Sequence, residues 1–127
     1  MNPRALFDSI VVVSPQFGEV MREHLDDNDG LLPHLLMSDL LRYIGTRLIA
    51  AQGTPVANHE EMHLEIGKVL QLLDTAFVGG NPETENAIAV SFIEDIDSDK
   101  FFCDLEPMLG PNLRAEHRRQ LEWPVKR

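Results

Sequence analysis

The stretch MHLEIGKVLQLLDTAF, Met62 to Phe77, decides the fold. Its apolar residues Met62, Ile66, Val69, Leu70, Leu73 and Phe77 recur at intervals of four, three, one, three and four. That is one face of an α-helix; the apolar residues of a strand would alternate. Gly79-Gly80 ends the segment, and Asn81-Pro82 supplies a cap and a first residue for the next helix. That helix carries Ala87, Ile88, Ala89, Val90, Phe92, Ile93 and Ile96. Apolar residues lie most of the way round it, so it is expected to be the central, most buried one.

The same period extends towards the N-terminus. Pro33 opens a helix in which Leu36, Leu40, Ile44 and Leu48 repeat at four, with Met37 and Leu41 beside them and Asp39, Arg42 and Arg47 opposite. Gly53-Thr54-Pro55 breaks it. Ser14-Pro15 is read as cap and first residue of a helix with Phe17, Val20, Met21 and His24 or Leu25 inward, ended by Asp26 to Gly30. Asn2 and Pro3 start a first helix through Leu6, Ile10 and Val13. The β-branched run from Ile10 to Val13 would suit a strand, but no second convincing strand exists to pair with it. Towards the C-terminus, Asp97-Ser98-Asp99 precedes a short helix from Lys100 to Leu109. Gly110-Pro111 breaks the chain, and Asn112 to Trp123 forms a last helix with Leu113, His117 and Leu121 inward before Pro124. The expected fold is all-α: a compact single-domain bundle of about five to six helices over residues 1–127, or stacked helix pairs.

A chain of 127 residues buries roughly two-thirds of its unfolded surface and needs no metal or disulfide to fold. Its apolar content of 43% argues against wholesale disorder. The single cysteine, Cys103, fits a reducing cytoplasm. Asp8 interrupts the only N-terminal stretch that could imitate an export signal, and no run approaches the roughly 18 apolar residues of a membrane span. Lys and Arg total 11 against 21 Asp and Glu, a net charge of −10. Residues 1–110 hold 6 basic and 19 acidic side chains, or −13; residues 111–127 hold 5 and 2, or +3. Such a field repels nucleic acid and anionic membrane and attracts basic partners.

Residues His59 to His63 read H-E-x-x-H, the zinc signature of many metalloproteases. The spacing puts His59 and His63 on one helix face, with Glu60 placed to activate a bound water. Three features favour a capped helix instead. Asn58 followed by Glu61 forms a capping box, which would put His59 at a solvated helix end. One intervening position is charged. No third ligand follows at the metzincin spacing, because Gly67 falls one position late, and a turn separates Glu83 and Glu85 from the pair.

Other chemistry finds little footing. Cys103 lacks an activating neighbour, Ser14, Ser38, Ser91 and Ser98 occur in no G-x-S-x-G, and no glycine loop suits a nucleotide. Arg114, His117, Arg118 and Arg119 give the last helix a basic edge that should pair with the acidic body. Carboxylates gather in two places: Asp26, Asp27 and Asp29, and Glu94, Asp95, Asp97, Asp99, Asp104 and Glu106. The second set imitates a calcium loop, but its sixth position would be Lys100 rather than glycine. These nine residues are the expected partner-binding surface. No catalytic residue, metal or cofactor is assigned, the zinc reading of His59 and His63 being the minority one.

Three stretches carry a resemblance: LLPHLLMSDLLRYIGTRL (31–48), ENAIAVSFIEDI (85–96) and LEPMLGPNLRAEHRRQLEW (105–123). They are similar to a group of small helical bacterial proteins that resemble immunity factors of contact-dependent or polymorphic toxin systems. The matching positions include Asp39, Arg42, Tyr43, Glu94, Leu109, Gly110 and Pro111, and the resemblance gives them an architectural role. It implies an inhibitor that neutralises a toxin domain. Where that toxin is a nuclease, its cleft must be basic to hold phosphate, and an acidic face would steer into it. The expected function is therefore a non-enzymatic, cytoplasmic immunity protein with a basic protein partner. The alternatives are a zinc hydrolase on His59, Glu60 and His63, and a helical scaffold or oligomerisation domain.

Overall fold

Two of the expected caps form as the sequence suggests. Asn2 Oδ1 accepts the amide of Ala5 at 2.8 Å, and Asn81 Oδ1 accepts that of Thr84 at 3.0 Å, each with proline as the first helical residue. The computed structural model describes residues 1–52, 56–97 and 105–122, with backbone alone for 51, 52 and 56–58. Its described residues form an all-α fold with six helices: α1 (Pro3–Val13), α2 (Phe17–Asn28), α3 (Pro33–Gln52), α4 (Val56–Phe77), α5 (Pro82–Ile88) and α6 (Pro111–Glu122). α5 continues through a π turn, Ala89–Ile93, into Glu94–Ile96, and a 3₁₀ turn, Glu106–Met108, precedes α6. The β-branched run from Ile10 to Val13 is helical. The break at Gly53 to Pro55, the start of the short helix at Lys100, Trp123 and Pro124 lie outside the described residues.

α3 and α4 form the middle of the bundle. α4 packs against α1, α3, α5 and α6, and α3 against α2, α4 and α5. Their stripes, Leu36, Met37, Leu40, Leu41, Ile44 and Leu48 on one and Met62, Ile66, Val69, Leu70 and Leu73 on the other, are all buried. One core cluster draws on every helix, and each fully buried Leu, Ile or Phe in it contributes about 1.5–3 kcal/mol.

Several expectations are corrected. α5 and its π turn bury Ala87, Ile88, Phe92, Ile93 and Ile96 against their neighbours but are not apolar-buried all round, since Val90 is 42% exposed and Asn86, Glu94 and Asp95 face solvent. The wide turn instead points three consecutive side chains, Ser91, Phe92 and Ile93, inward. Ser14 does not cap α2. The chain passes through i to i+3 turns (Phe17 N to Ser14 O, 3.0 Å; Gly18 N to Pro15 O, 2.9 Å), and the buried Ser14 hydroxyl goes to α3 and α4 instead. Asn58 does not cap α4 either. The helix starts at Val56, so Asn58 lies within its first turn and lacks the non-helical backbone of a cap. In α6, Leu121 is 55% exposed, while Leu113 and His117 are buried.

α6 is capped from a distance. Asp74, near the end of α4, accepts the amides of Asn112 and Leu113 through Oδ1, both at 2.9 Å, and the Asn112 side-chain amide through Oδ2 at 3.1 Å. These are the amides an N-cap residue would satisfy. Gly110 makes this possible: a Cβ there would fall 2.6 Å from Asp74 Oδ1.

Candidate functional site

Glu19, Glu23 and Asp27 stand four residues apart on α2, so they form one exposed ridge. Facing it across a groove, α3 presents Leu35, Asp39, Arg42, Tyr43 and Thr46. Two cavities lie along this groove, of about 600 Å³ and about 470 Å³, sharing Val20, Glu23 and Tyr43. Carboxylates from both helices thus line one groove together with Val20 and the exposed Leu35.

The groove rests on fixed side chains. The Ser14 hydroxyl donates to Glu65 Oε2 at 2.6 Å, so Tyr43 donates its own hydroxyl hydrogen to Ser14, also at 2.6 Å. Arg47 pairs with Glu65 at 2.9 Å, bonds Gln16 and lies 5.8 Å from the Tyr43 ring centroid. Tyr43 also packs on Phe17. At the other end, the imidazole of His24 is 1% exposed. Its Nε2 accepts the Leu32 amide at 3.0 Å, tying the turn after α2 to the helix, and its Nδ1 lies 4.0 Å from Asp39 Oδ2. Asp39 Oδ1 is bonded by Arg42.

Of the nine expected partner residues, Asp26, Asp27 and Asp29 are exposed at the end of α2, and Asp27 lines the groove. Asp29 ends the helix in the left-handed region (φ 53°), which aspartate tolerates better than most residues. Glu94 and Asp95 are exposed. Asp97 and Glu106 are engaged internally: Asp97 Oδ1 meets His117 Nε2 at 2.7 Å, and Glu106 pairs with Arg114 at 3.1 Å. Arg114 also donates to the carbonyl oxygens of Glu106 and Leu109, holding the 3₁₀ turn. Asp99, Asp104 and Cys103 lie outside the described residues. Glu19 and Glu23 are added by the structure. Their spacing with Asp27 was the available signal, masked because a charged stripe four apart resembles any solvated helix face.

The basic edge of α6 pairs with acidic side chains. Glu116, buried, accepts Arg119 Nε at 2.8 Å and Nη2 at 2.6 Å, and the Gln120 amide at 2.8 Å. The Arg119 hydrogen bonds hold the Glu116 carboxyl below its ordinary range, against the upward push of burial, and Glu116 in turn raises Arg119. Gln120 also donates to the Ala89 carbonyl at 3.0 Å, fixing α6 to the π turn.

Two clusters of polar side chains have the residue types of a catalytic site. Ser91 Oγ lies 3.0 Å from His34 Nδ1, with the Asn86 amide 3.4 Å from Nε2. Donation by that amide to Nε2 puts the ring hydrogen on Nδ1, facing the serine, and the trio braces α3 against α5 and the π turn. In the H-E-x-x-H stretch, Glu60 and His63 are exposed, and His59 Nε2 is buried with no hydrogen-bond partner among the described residues. Among those residues no group of three metal-donor side chains forms.

The fold and the groove define a small, acidic, all-α domain in which carboxylates from two helices line one groove. By sequence, the chain belongs to the family described as domain of unknown function DUF7674, which residues 7–123 match. No curated protein and no solved structure matches it. No helix among the described residues is long and apolar enough to cross a membrane.

Proposed function

We propose that this protein is a non-enzymatic binding module that captures a basic protein partner in the groove between α2 and α3. On the resemblance of its helical stretches, it acts as a cytoplasmic immunity-type inhibitor of a toxin domain with a basic, nuclease-like cleft. The observation that carries this reading is the convergence of Glu19, Glu23, Asp27 and Asp39 on one groove, beside Val20 and the exposed Leu35. Anionic side chains on rigid helices need no rearrangement to meet a cationic surface, and complementary potentials speed the encounter. The test is co-expression with the toxin-type domain encoded beside the gene. Growth should be protected, and a folded Glu19→Gln, Glu23→Gln, Asp27→Asn variant should lose that protection. Protection that survives the triple change, or the lack of any such neighbouring domain, counts against the reading.

A second reading, a zinc hydrolase on His59, Glu60 and His63, has one observation in its favour: the unpartnered Nε2 of His59. Elemental analysis decides it. One equivalent of zinc and a melting temperature lowered by chelator would establish a metal site; zinc well below one equivalent would remove it.

A further inference from the structure

Asp39 is already occupied. Arg42, one helical turn further along α3, bonds its Oδ1, and the guanidinium is 72% exposed against 23% for the carboxylate. The other oxygen faces His24. Because Nε2 of that ring accepts the Leu32 amide, the ring hydrogen is on Nδ1. The Asn28 side-chain amide, 3.4 Å from Nδ1, is oriented by its bond to the His24 carbonyl at 2.9 Å. It therefore presents a second donor and cannot satisfy Nδ1–H. The buried imidazole of His24 borders the larger cavity, and its Nδ1 lies 4.0 Å from Asp39 Oδ2, beyond hydrogen-bond reach.

We infer, building on the binding role above, that Arg42 is a placeholder: an arginine side chain of the partner replaces it on Asp39, and Arg42 swings into solvent. Several features make the exchange favourable. An exposed i, i+3 pair is weak and readily broken. The incoming guanidinium repeats the bond that Arg42 makes, so the half-buried carboxylate is never left unpaired. It also enters the field of Glu23 and Asp27 and lies beside Leu35 and Tyr43, where a planar, weakly hydrated cation is preferred to an ammonium. The buried His24 Nδ1–H, 4.0 Å from Oδ2, draws that oxygen inward by charge–dipole attraction rather than by a hydrogen bond, so Asp39 does not follow Arg42 out.

The test is titration of the full-length protein at low salt with a nona-arginine peptide, and with nona-lysine for comparison. Arg42→Ala is compared with Arg4→Ala, which removes the same charge from an exposed pair with Asp8 on α1. Arg42→Ala should bind nona-arginine about two- to fivefold more tightly than wild type and more tightly than Arg4→Ala. Asp39→Asn should abolish that gain, and nona-lysine should show less of it. If Arg42→Ala gains no more than Arg4→Ala while Glu23→Gln with Asp27→Asn weakens binding, the exchange is wrong and the groove reading survives. If the Glu23 and Asp27 changes also have no effect, the groove reading falls with it. Arg42 is a solvent-facing helix residue, so its variant folds and decides the matter even if Asp39→Asn does not.

Discussion

At Gly110 the presence or absence of one methyl group determines how α6 begins. The space its Cβ would fill is taken by the Asp74 carboxylate, which is held there by three hydrogen bonds to the start of α6. The carboxylate cannot retreat without releasing all three. Gly110→Ala should therefore destabilise the protein by about 2–3 kcal/mol, the combined effect of a lost cap and of charged hydrogen bonds broken around the buried Asp74. Urea unfolding measures this directly. Asp74→Ala should give a similar loss, and the double variant should lose much less than the sum, because both changes remove the same interaction. Additive losses would show that Gly110 is needed for something other than Asp74. The sequence shows a Gly-Pro break at 110–111. It cannot show that the cap for the next helix is a residue 38 positions upstream of Asn112.

Among the elements, local signals were legible and distant ones were not. Asn2 and Asn81 cap their helices because each bonds an amide three residues on, within the same turn. Ser14 offers the same local signal, but Tyr43 and Glu65 recruit its hydroxyl. The packing stripes of α3 and α4 could be read because a helix face repeats in the chain. The groove could not, because its walls come from two helices whose rotation about their axes is set by core packing. Asp39, Arg42 and Tyr43 stand out as a pattern in the sequence; that they meet His24 and the α2 ridge is visible only in the fold. α6 carries an element-level prediction. Its Glu116 titrates below the ordinary value of 4.5 in the folded protein, chiefly through the Arg119 hydrogen bonds. A carboxyl with a depressed folded pKa adds stability above its unfolded pKa, and that stability is lost as pH falls through the folded value. The difference in melting temperature between wild type and Glu116→Gln should stay level from neutral pH down to about 5.5 and shrink progressively below about 4.5. A difference that is constant to pH 3 would mean that the charge on Glu116 contributes nothing.

For the whole molecule the governing quantity is the uneven charge, −13 over residues 1–110 and +3 over residues 111–127. In α6, Arg114, His117 and Arg119 are turned towards Glu106, Asp97 and Glu116, so part of the positive segment is consumed internally. The α2 ridge has no such neutralisation from α6. An encounter driven by this field has a defined kinetic form: the association rate falls with salt as the Debye length contracts from about 10 Å at 0.1 M to about 3 Å at 1 M. Stopped-flow mixing with the basic partner should show the association rate falling about ten- to a hundredfold between low and high salt, with the dissociation rate changing far less. Charge reversal then separates the two acidic sets. Glu19→Lys with Glu23→Lys should slow association much more than Glu94→Lys with Asp95→Lys, although both pairs change the net charge equally. Equal slowing would mean that only total charge matters and that the groove is not the landing site. An association rate indifferent to salt would mean that the partner docks on apolar surface instead.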